Sequence, residues 1–200
     1  MRVLLLVMIS LCAVSLQGCF PVIATGVGMT AFAVADRRTI GAQAEDQGLQ
    51  VKVANRLSEE FGTSKFSVNV NSYNRRVLLT GEAANEEIKN KLGELAKEVP
   101  NMASVVNEVR VAGNSAFGAR SNDALITTKV KSRFITEGKG FHANHVKVVT
   151  EAGVVYLMGL VTPAEGDAAV ELARTTSGVQ GVVKVFEYID QIPTSETASR

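Results

Sequence analysis

The chain has 200 residues, room for one medium domain or two small ones. Its 21 Lys and Arg balance 20 Asp and Glu, so composition gives no ground for nucleic acid or a strongly acidic macromolecule as partner. The only two cysteines, Cys12 and Cys19, lie close to the start, which leaves the body of the chain without a disulfide framework or a reactive thiol.

The first element is a leader. Met1-Arg2 precedes an apolar run from Val3 to Leu16, and Leu16-Gln17-Gly18-Cys19 closes it with the pattern of a bacterial lipobox. The run is shorter than the ~20 residues that a spanning helix needs. Residues 1–18 are therefore expected to be cleaved, leaving Cys19 as an acylated N-terminus. Each buried methylene of an acyl chain is worth ~0.8 kcal/mol, so two or three chains make membrane residence near-permanent. Phe20, not Asp, follows the cysteine, and outer-membrane delivery is the expectation. Residues 19–44 read as the lipidated N-terminus and a tether rich in Ala, Gly, Thr and Val. Asp36-Arg37-Arg38 interrupts it with charge and is read as marking its exit from the lipid surface.

Beyond the tether the chain repeats itself. Val68-Asn69-Val70 and Val77-Leu78-Leu79-Thr80-Gly81 return as Val146-Lys147-Val148 and Val155-Tyr156-Leu157-Met158-Gly159, 78 residues later. Lys52-Val53-x-x-Arg56-Leu57 returns as Lys129-Val130-x-x-Arg133-Phe134 at an offset of 77. A period this long argues for two copies of a small domain, placed at 45–112 and 120–190, rather than a solenoid.

In each copy a first helix covers 46–60 or 122–136. Ile126, Val130 and Phe134 recur every four residues as one apolar stripe, and Ser121 to Asp123 supply capping candidates. Two short alternating strands follow, joined by hairpin turns at Tyr73-Asn74-Arg75-Arg76 and Glu151-Ala152-Gly153. Second helices are expected over 84–98 and 163–176, with Asn85 and Thr162-Pro163 at their starts. Last strands lie near 104–111 and 181–189. The topology is αββαβ, an α+β fold with a three-stranded sheet and both helices on one face. Gly81 and Gly159 end the second strand of each copy and are read as structural, where a helix comes too close to the sheet for a side chain. Residues 191–200 form a small, polar tail, expected to be disordered.

An αββαβ unit whose strand ends Val-x-Leu-x-Gly resembles a BON domain. Two of them behind a lipobox resemble the dual-BON-domain outer-membrane lipoproteins of Gram-negative bacteria, the DolP type. The pieces that carry the resemblance are Ser121-Asn122-Asp123, Ile126-Thr127-Thr128-Lys129-Val130 and Leu157-Met158-Gly159-Leu160-Val161-Thr162. The resemblance implies a non-enzymatic protein held to the outer membrane by an acylated (palmitate-bearing) Cys19, with its domains facing the periplasm and a role in envelope integrity. It further implies that the first helix of the second domain binds anionic, phosphatidylglycerol-like phospholipid, with recruitment to the division site. Relatives carry a tryptophan just before the Ile-Thr-Thr-Lys-Val run, where this chain has Leu125.

The residues themselves fit that implication in part. On a helical wheel Leu125 lies away from the Ile126/Val130/Phe134 stripe and near Thr128, Lys129 and Ser132, with Lys131 and Arg133 following. Over 121–139, Lys129, Lys131, Arg133 and Lys139 stand against Asp123 and Glu137, a net of +2. Over 45–63, Lys52 and Arg56 stand against Glu45, Asp46, Glu59 and Glu60, a net of −2. Only the second copy's helix suits an anionic surface. Three cations at ~1 kcal/mol each and one leucine at ~1.5–3 kcal/mol give roughly 4–6 kcal/mol before ordering costs, a weak site that tethering must assist.

No catalytic chemistry is legible. His142 and His145 are the only histidines, read as lacking a cysteine or carboxylate nearby, and a metal needs three or four ligands. No metal, cofactor or enzymatic activity is expected. Two other readings stand beside lipid binding. One is a periplasmic scaffold that uses the exposed sheet face or last strands to hold outer-membrane assembly, division or cell-wall amidase-regulating proteins. The other is a holdase.

Overall fold

The computed structural model describes residues 36–61, 66–111, 120–138 and 140–190. The leader, Cys19, the tether as far as residue 35, Lys139 and the tail from 191 lie outside the described residues. The elements are α1 (Ile40–Phe61), β1 (Phe66–Tyr73), β2 (Arg76–Ala83), α2 (Glu86–Lys97) and β3 (Ser104–Val111), then α3 (Arg120–Glu137), β4 (Val146–Glu151), β5 (Val154–Val161), α4 (Pro163–Arg174) and β6 (Gly181–Tyr188). The αββαβ unit is thus present twice.

Local signals explain the helices. Leu49, Val53 and Leu57 form the buried stripe of α1, as Ile126, Val130 and Phe134 do for α3. The Asn85 side chain accepts the Ile88 N–H at 2.8 Å, and Glu86, Glu87 and Lys97 complement the dipole of α2. Thr162 and Glu165 form a reciprocal capping box ahead of α4, with Pro163 in its first turn. The first helix starts at Ile40, earlier than its hydrophobic stripe implied: Thr39 Oγ1 accepts the Ala42 N–H, and the Gln43 N–H bonds the Thr39 carbonyl.

In each sheet the second strand is central, antiparallel to the first and parallel to the last. Along β2, Val77 and Leu79 face the helices and join Leu49, Val53, Leu92 and Leu95 in one core. Along β5, Val155 and Leu157 do the same with Ile126, Val130 and Phe134. The alternate residues point the other way. Tyr73 and Leu78 of the first domain pack with Tyr156, Met158 and Val185 of the second in a third core, so the two sheets meet through the faces opposite their helices. The sheet face expected to be open to a partner is therefore covered by the neighbouring copy.

Polar contacts frame this seam. Asn69 Nδ2 donates to Glu151 at 2.9 Å, Lys147 Nζ to the Ser72 carbonyl at 3.3 Å, and the Tyr73 hydroxyl to the His145 carbonyl at 3.4 Å. As the chain advances from Asn69 to Tyr73 its partners step back from Glu151 to His145, so β1 and β4 run in opposite directions. Shifting both members of the Asn69–Glu151 pair by 78 residues gives Lys147 and Tyr73, next to the observed Lys147–Ser72 contact.

A second duplicated device holds each hairpin. Asn74 and Arg75 have φ of 50° and 61°, Ala152 and Gly153 of 49° and 78°, the paired left-handed conformation of a two-residue turn. Asp46 accepts the Asn74 and Arg75 N–H groups at 2.7 Å each, and Asp123 accepts those of Ala152 and Gly153 at 2.7 and 2.8 Å. Asp123 thus sits inside α3 and braces the turn rather than capping the helix.

The two strand-end glycines are structural for a different reason from the one expected. A Cβ on Gly81 would lie 2.1 Å from the Ser67 carbonyl oxygen, and one on Gly159 2.4 Å from that of His145. The obstruction is the backbone of β1 for Gly81 and of the short turn leading into β4 for Gly159, not one of the packed helices. Close helix–sheet approach falls at Gly93 and Gly166, whose Cβ atoms would meet Asn107 at 2.8 Å and Phe186 at 3.3 Å.

Candidate functional site

Burial of Ile126, Val130 and Phe134 fixes the rotation of α3 about its axis; Phe134 meets Phe141 edge-on at 5.2 Å. The opposite face then turns outward. Leu125 is 61% exposed, and Thr128, Lys129, Lys131 and Ser132 are exposed with it. Neither Lys129 nor Lys131 forms an ion pair among the described residues. The Thr128 hydroxyl donates to the Ala124 carbonyl at 2.9 Å and Thr136 to that of Ser132 at 3.0 Å. Their donors are satisfied within the helix, which lowers the cost of leaving water.

Two residues change the set read from the sequence. Ile135, 75% exposed, shares the outer face and adds a second large apolar group near the other end of the helix. It was hidden in the sequence because the Ile126/Val130/Phe134 stripe occupied the count of apolar positions, and Ile135 adjoins it in sequence but not in space. Arg133, by contrast, is engaged. Its guanidinium clasps Glu137 at 2.8–2.9 Å and reaches the Leu172 carbonyl at 2.8 Å and the Thr175 and Thr176 hydroxyls at 2.9 and 3.2 Å. It ties α3 to the end of α4 and holds the Glu137 carboxyl below its ordinary range. Arg56, 77 residues earlier, plays the same part with Glu60 and Glu98. Arg133 therefore positions the helix, leaving Lys129 and Lys131 as its free cations.

The charged break in the tether packs against both domains. Arg37 forms a two-pronged ion pair with Glu165, 2.7 Å on each arm, and donates to the Leu160 carbonyl at 2.8 Å. Arg38 pairs with Asp36 and Asp46 and lies 3.8 Å over the Tyr73 ring. Burial works against ionised Glu165, but Arg37 and the Thr162 amide outweigh it and bring its carboxyl to about 2. Burial pushes the Tyr73 phenol up to about 12. His145 also has a carboxylate beside it, which the sequence spacing concealed: Nδ1 lies 3.7 Å from Glu165, while burial and Arg37 lower its affinity for a proton. Among the described residues, no three His, Cys, Asp or Glu side chains gather where they could hold a metal ion. Nor is any helix among them long and apolar enough to cross a membrane.

Comparison with known proteins places this architecture. The BON-domain family model matches residues 45–113 and again 122–190. The chain is similar to the outer membrane lipoprotein DolP of Haemophilus influenzae, 39% identical over 176 residues, covering 88% of this chain and 91% of the relative. It is also similar to a 21 kDa hemolysin of Actinobacillus pleuropneumoniae, 36% identical over 155 residues, covering 77% of this chain and 79% of that one. Among solved structures, the C-terminal domain of CdsD, a structural protein of the type III secretion system of Chlamydia trachomatis, aligns with a TM-score of 0.28 at 13% identity, covering 72% of this chain and 67% of that one. Both halves of the duplicated chain match the same domain, and the relationship to DolP extends along nearly the whole length: the chain belongs to the BON-domain family, in its two-domain, DolP-type form.

Proposed function

We propose that this chain is a lipid-anchored outer-membrane protein, facing the periplasm and held by Cys19, that supports envelope integrity by seating the outer face of α3 on anionic phospholipid. The observation that carries this reading is the composition of that face: Leu125 and Ile135 at 61% and 75% exposure, with the free cations Lys129 and Lys131 between them. Leu125 and Ile135 are ten positions apart, about 15 Å along a helix that rises ~1.5 Å per residue. That spacing lets the helix lie flat on a surface instead of inserting by one end.

Two cations at ~1 kcal/mol and two apolar side chains at ~1.5–3 kcal/mol each give about 5–8 kcal/mol before ordering costs. Free binding would then be weak, and an anchored domain overcomes this by sampling lipid at high effective concentration. The equivalent helix of the first domain also exposes two apolar residues, Ile40 and Val51, but carries the opposite net charge, so charge alone assigns lipid contact to the second domain. The scaffold reading loses its principal surface, because the sheet faces are occupied by one another. Recruitment to the division site is part of the same reading; imaging a fluorescent fusion would show septal enrichment, and uniform peripheral signal would remove that part.

The test is co-sedimentation of the full mature chain, carrying Cys19→Ser, with vesicles containing or lacking phosphatidylglycerol. Binding that requires the anionic lipid, and that falls in Lys129→Glu/Lys131→Glu and in Leu125→Ser/Ile135→Ser with thermal stability unchanged, supports the reading. Binding indifferent to all four changes rejects it.

A further inference from the structure

We propose that Asp36-Arg37-Arg38 is a clasp that locks the two BON domains in one orientation and fastens the tether to the second domain. By sequence, the tether leads only into α1 of the first domain. In space, its last residues grip both domains at once.

Arg37 reaches into the second domain. Both arms of its guanidinium close on Glu165, at the start of α4, and one also bonds the Leu160 carbonyl at the end of β5. The two side chains are only 6% and 5% exposed. The adjacent Arg38 turns to the first domain, bonding Asp46 at 2.8 Å and covering Tyr73. Asp36 closes the arrangement through two bonds to the Arg38 guanidinium and one to its backbone N–H. Tyr73 itself donates across the seam to His145, whose ring lies against Glu165.

Three observations make this a lock rather than an incidental ion pair. First, the contact between the sheets is mainly apolar, and apolar contact is non-directional, so registry has to come from polar pairs. Of the side-chain bonds between the sheets, Asn69–Glu151 is exposed, while Asn74–Glu187, Lys147–Ser72 and Tyr73–His145 are half-buried or buried, and each has at least one uncharged partner. The Arg37–Glu165 pair is buried on both sides. Second, Arg37 Nε is buried without a partner, so the pair carries an uncompensated desolvation cost. Ion pairs of that kind are better suited to specifying geometry than to adding stability. Third, the clasp breaks the two-fold repeat. A shift of 77 residues maps Asp36-Arg37-Arg38 onto Gly113-Asn114-Ser115, and Glu165 onto Ile88. Glu165 also serves the capping box of α4, but Asp36, Arg37 and Arg38 have no charged counterpart in the second copy.

With the clasp closed, the second domain is joined through Arg37 to the segment that leads into α1, and the two domains keep one orientation. With it open, the second domain is free to turn about the apolar seam. The inference concerns the domain pair itself and does not require that α3 bind lipid.

The experiment is double electron–electron resonance on the full mature chain with Cys19→Ser, spin-labelled at Asn90→Cys on α2 and Glu171→Cys on α4, in buffer without lipid. The closed clasp predicts a single narrow distance distribution. Arg37→Gln should broaden it or add a second population, and Arg37→Lys, which keeps a positive charge facing Glu165, should broaden it less. A distribution unchanged by Arg37→Gln overturns the proposal. So does loss of the second domain's folded amide spectrum in Arg37→Gln, because Arg37 would then belong to that domain's fold and not to a clasp.

Discussion

Replacing Asp46 by Asn tests the hairpin brace most sharply. The carboxylate is 2% exposed and accepts four hydrogen bonds, from Ser72 Oγ at 2.6 Å, the Asn74 and Arg75 amides at 2.7 Å and Arg38 at 2.8 Å. Burial alone would raise its pKa, but these donors, Ser72 foremost, hold it below the ordinary value. An Asn side chain keeps the shape but offers one acceptor oxygen in place of two and turns an N–H toward donors. It also leaves Arg38 with one carboxylate instead of two. Hydrogen bonds to a charged group are each worth about 1.5–3 kcal/mol, and breaking a buried charged network by removing one partner costs about 3–5 kcal/mol. Two turn residues with positive φ add strain that the brace no longer offsets. We expect a loss of about 3–4 kcal/mol in urea unfolding. If the first domain melts alone, each kcal/mol lowers Tm by about 4–8 °C; if the clasped pair melts as one unit, by about 2–4 °C. Asp123→Asn, with two bonds to lose, should cost less. A loss below about 1 kcal/mol for Asp46→Asn would show that the turn stands without its brace and refute the reasoning.

Gly81→Ala forces a Cβ to within 2.1 Å of the Ser67 carbonyl at a φ of +115°, and should cost about 3–5 kcal/mol in chemical denaturation. Gly159→Ala meets the His145 carbonyl at 2.4 Å and should be the milder of the two, since it adds a clash without the positive φ. Acid should weaken the chain through Glu165. Its folded carboxyl, at about 2, lies below the unfolded 4.5, so its contribution is complete above pH 4.5 and disappears as pH falls toward 2. A melting series over that range should show the slope in the natural chain and a flatter one in Glu165→Gln. Arg133→Ala should lower Tm while leaving vesicle binding nearly intact, the reverse of Lys129→Glu, because Arg133 is committed to Glu137 and the end of α4; equal losses of binding would contradict the division of roles.

The elements were legible in the sequence where a periodic apolar pattern set them. The Ile126/Val130/Phe134 stripe, the alternating valines and the 77–78-residue offset give the αββαβ unit and its duplication with boundaries close to those observed. What was not legible depends on contacts far apart in sequence. Asp123 looked like a helix cap because its local neighbourhood permits one, yet its partners lie 29 and 30 residues away. Arg37 read only as part of a charged break in an apolar tether, because its partner lies 128 positions on. Leu78, Tyr156 and Met158 gave no sign that the second face of each sheet was buried, because a strand covered on both faces loses the alternation that marks a half-buried one. In the candidate site, outward-pointing Leu125 and the lysines followed from the helical wheel, which also places Ile135 outward beside the buried Phe134, whereas the commitment of Arg133 required knowing where α4 ends.

The measurement that bears most directly on the central claim is an NMR titration of the full mature chain carrying Cys19→Ser with micelles containing, then lacking, phosphatidylglycerol. Seating of α3 on anionic lipid predicts amide shifts concentrated on its outer face, at Leu125, Thr128, Lys129, Ser132 and Ile135, that require the anionic lipid, with α1 of the first domain unmoved. A well-dispersed spectrum in which those residues do not respond, or in which both domains respond alike, would contradict it.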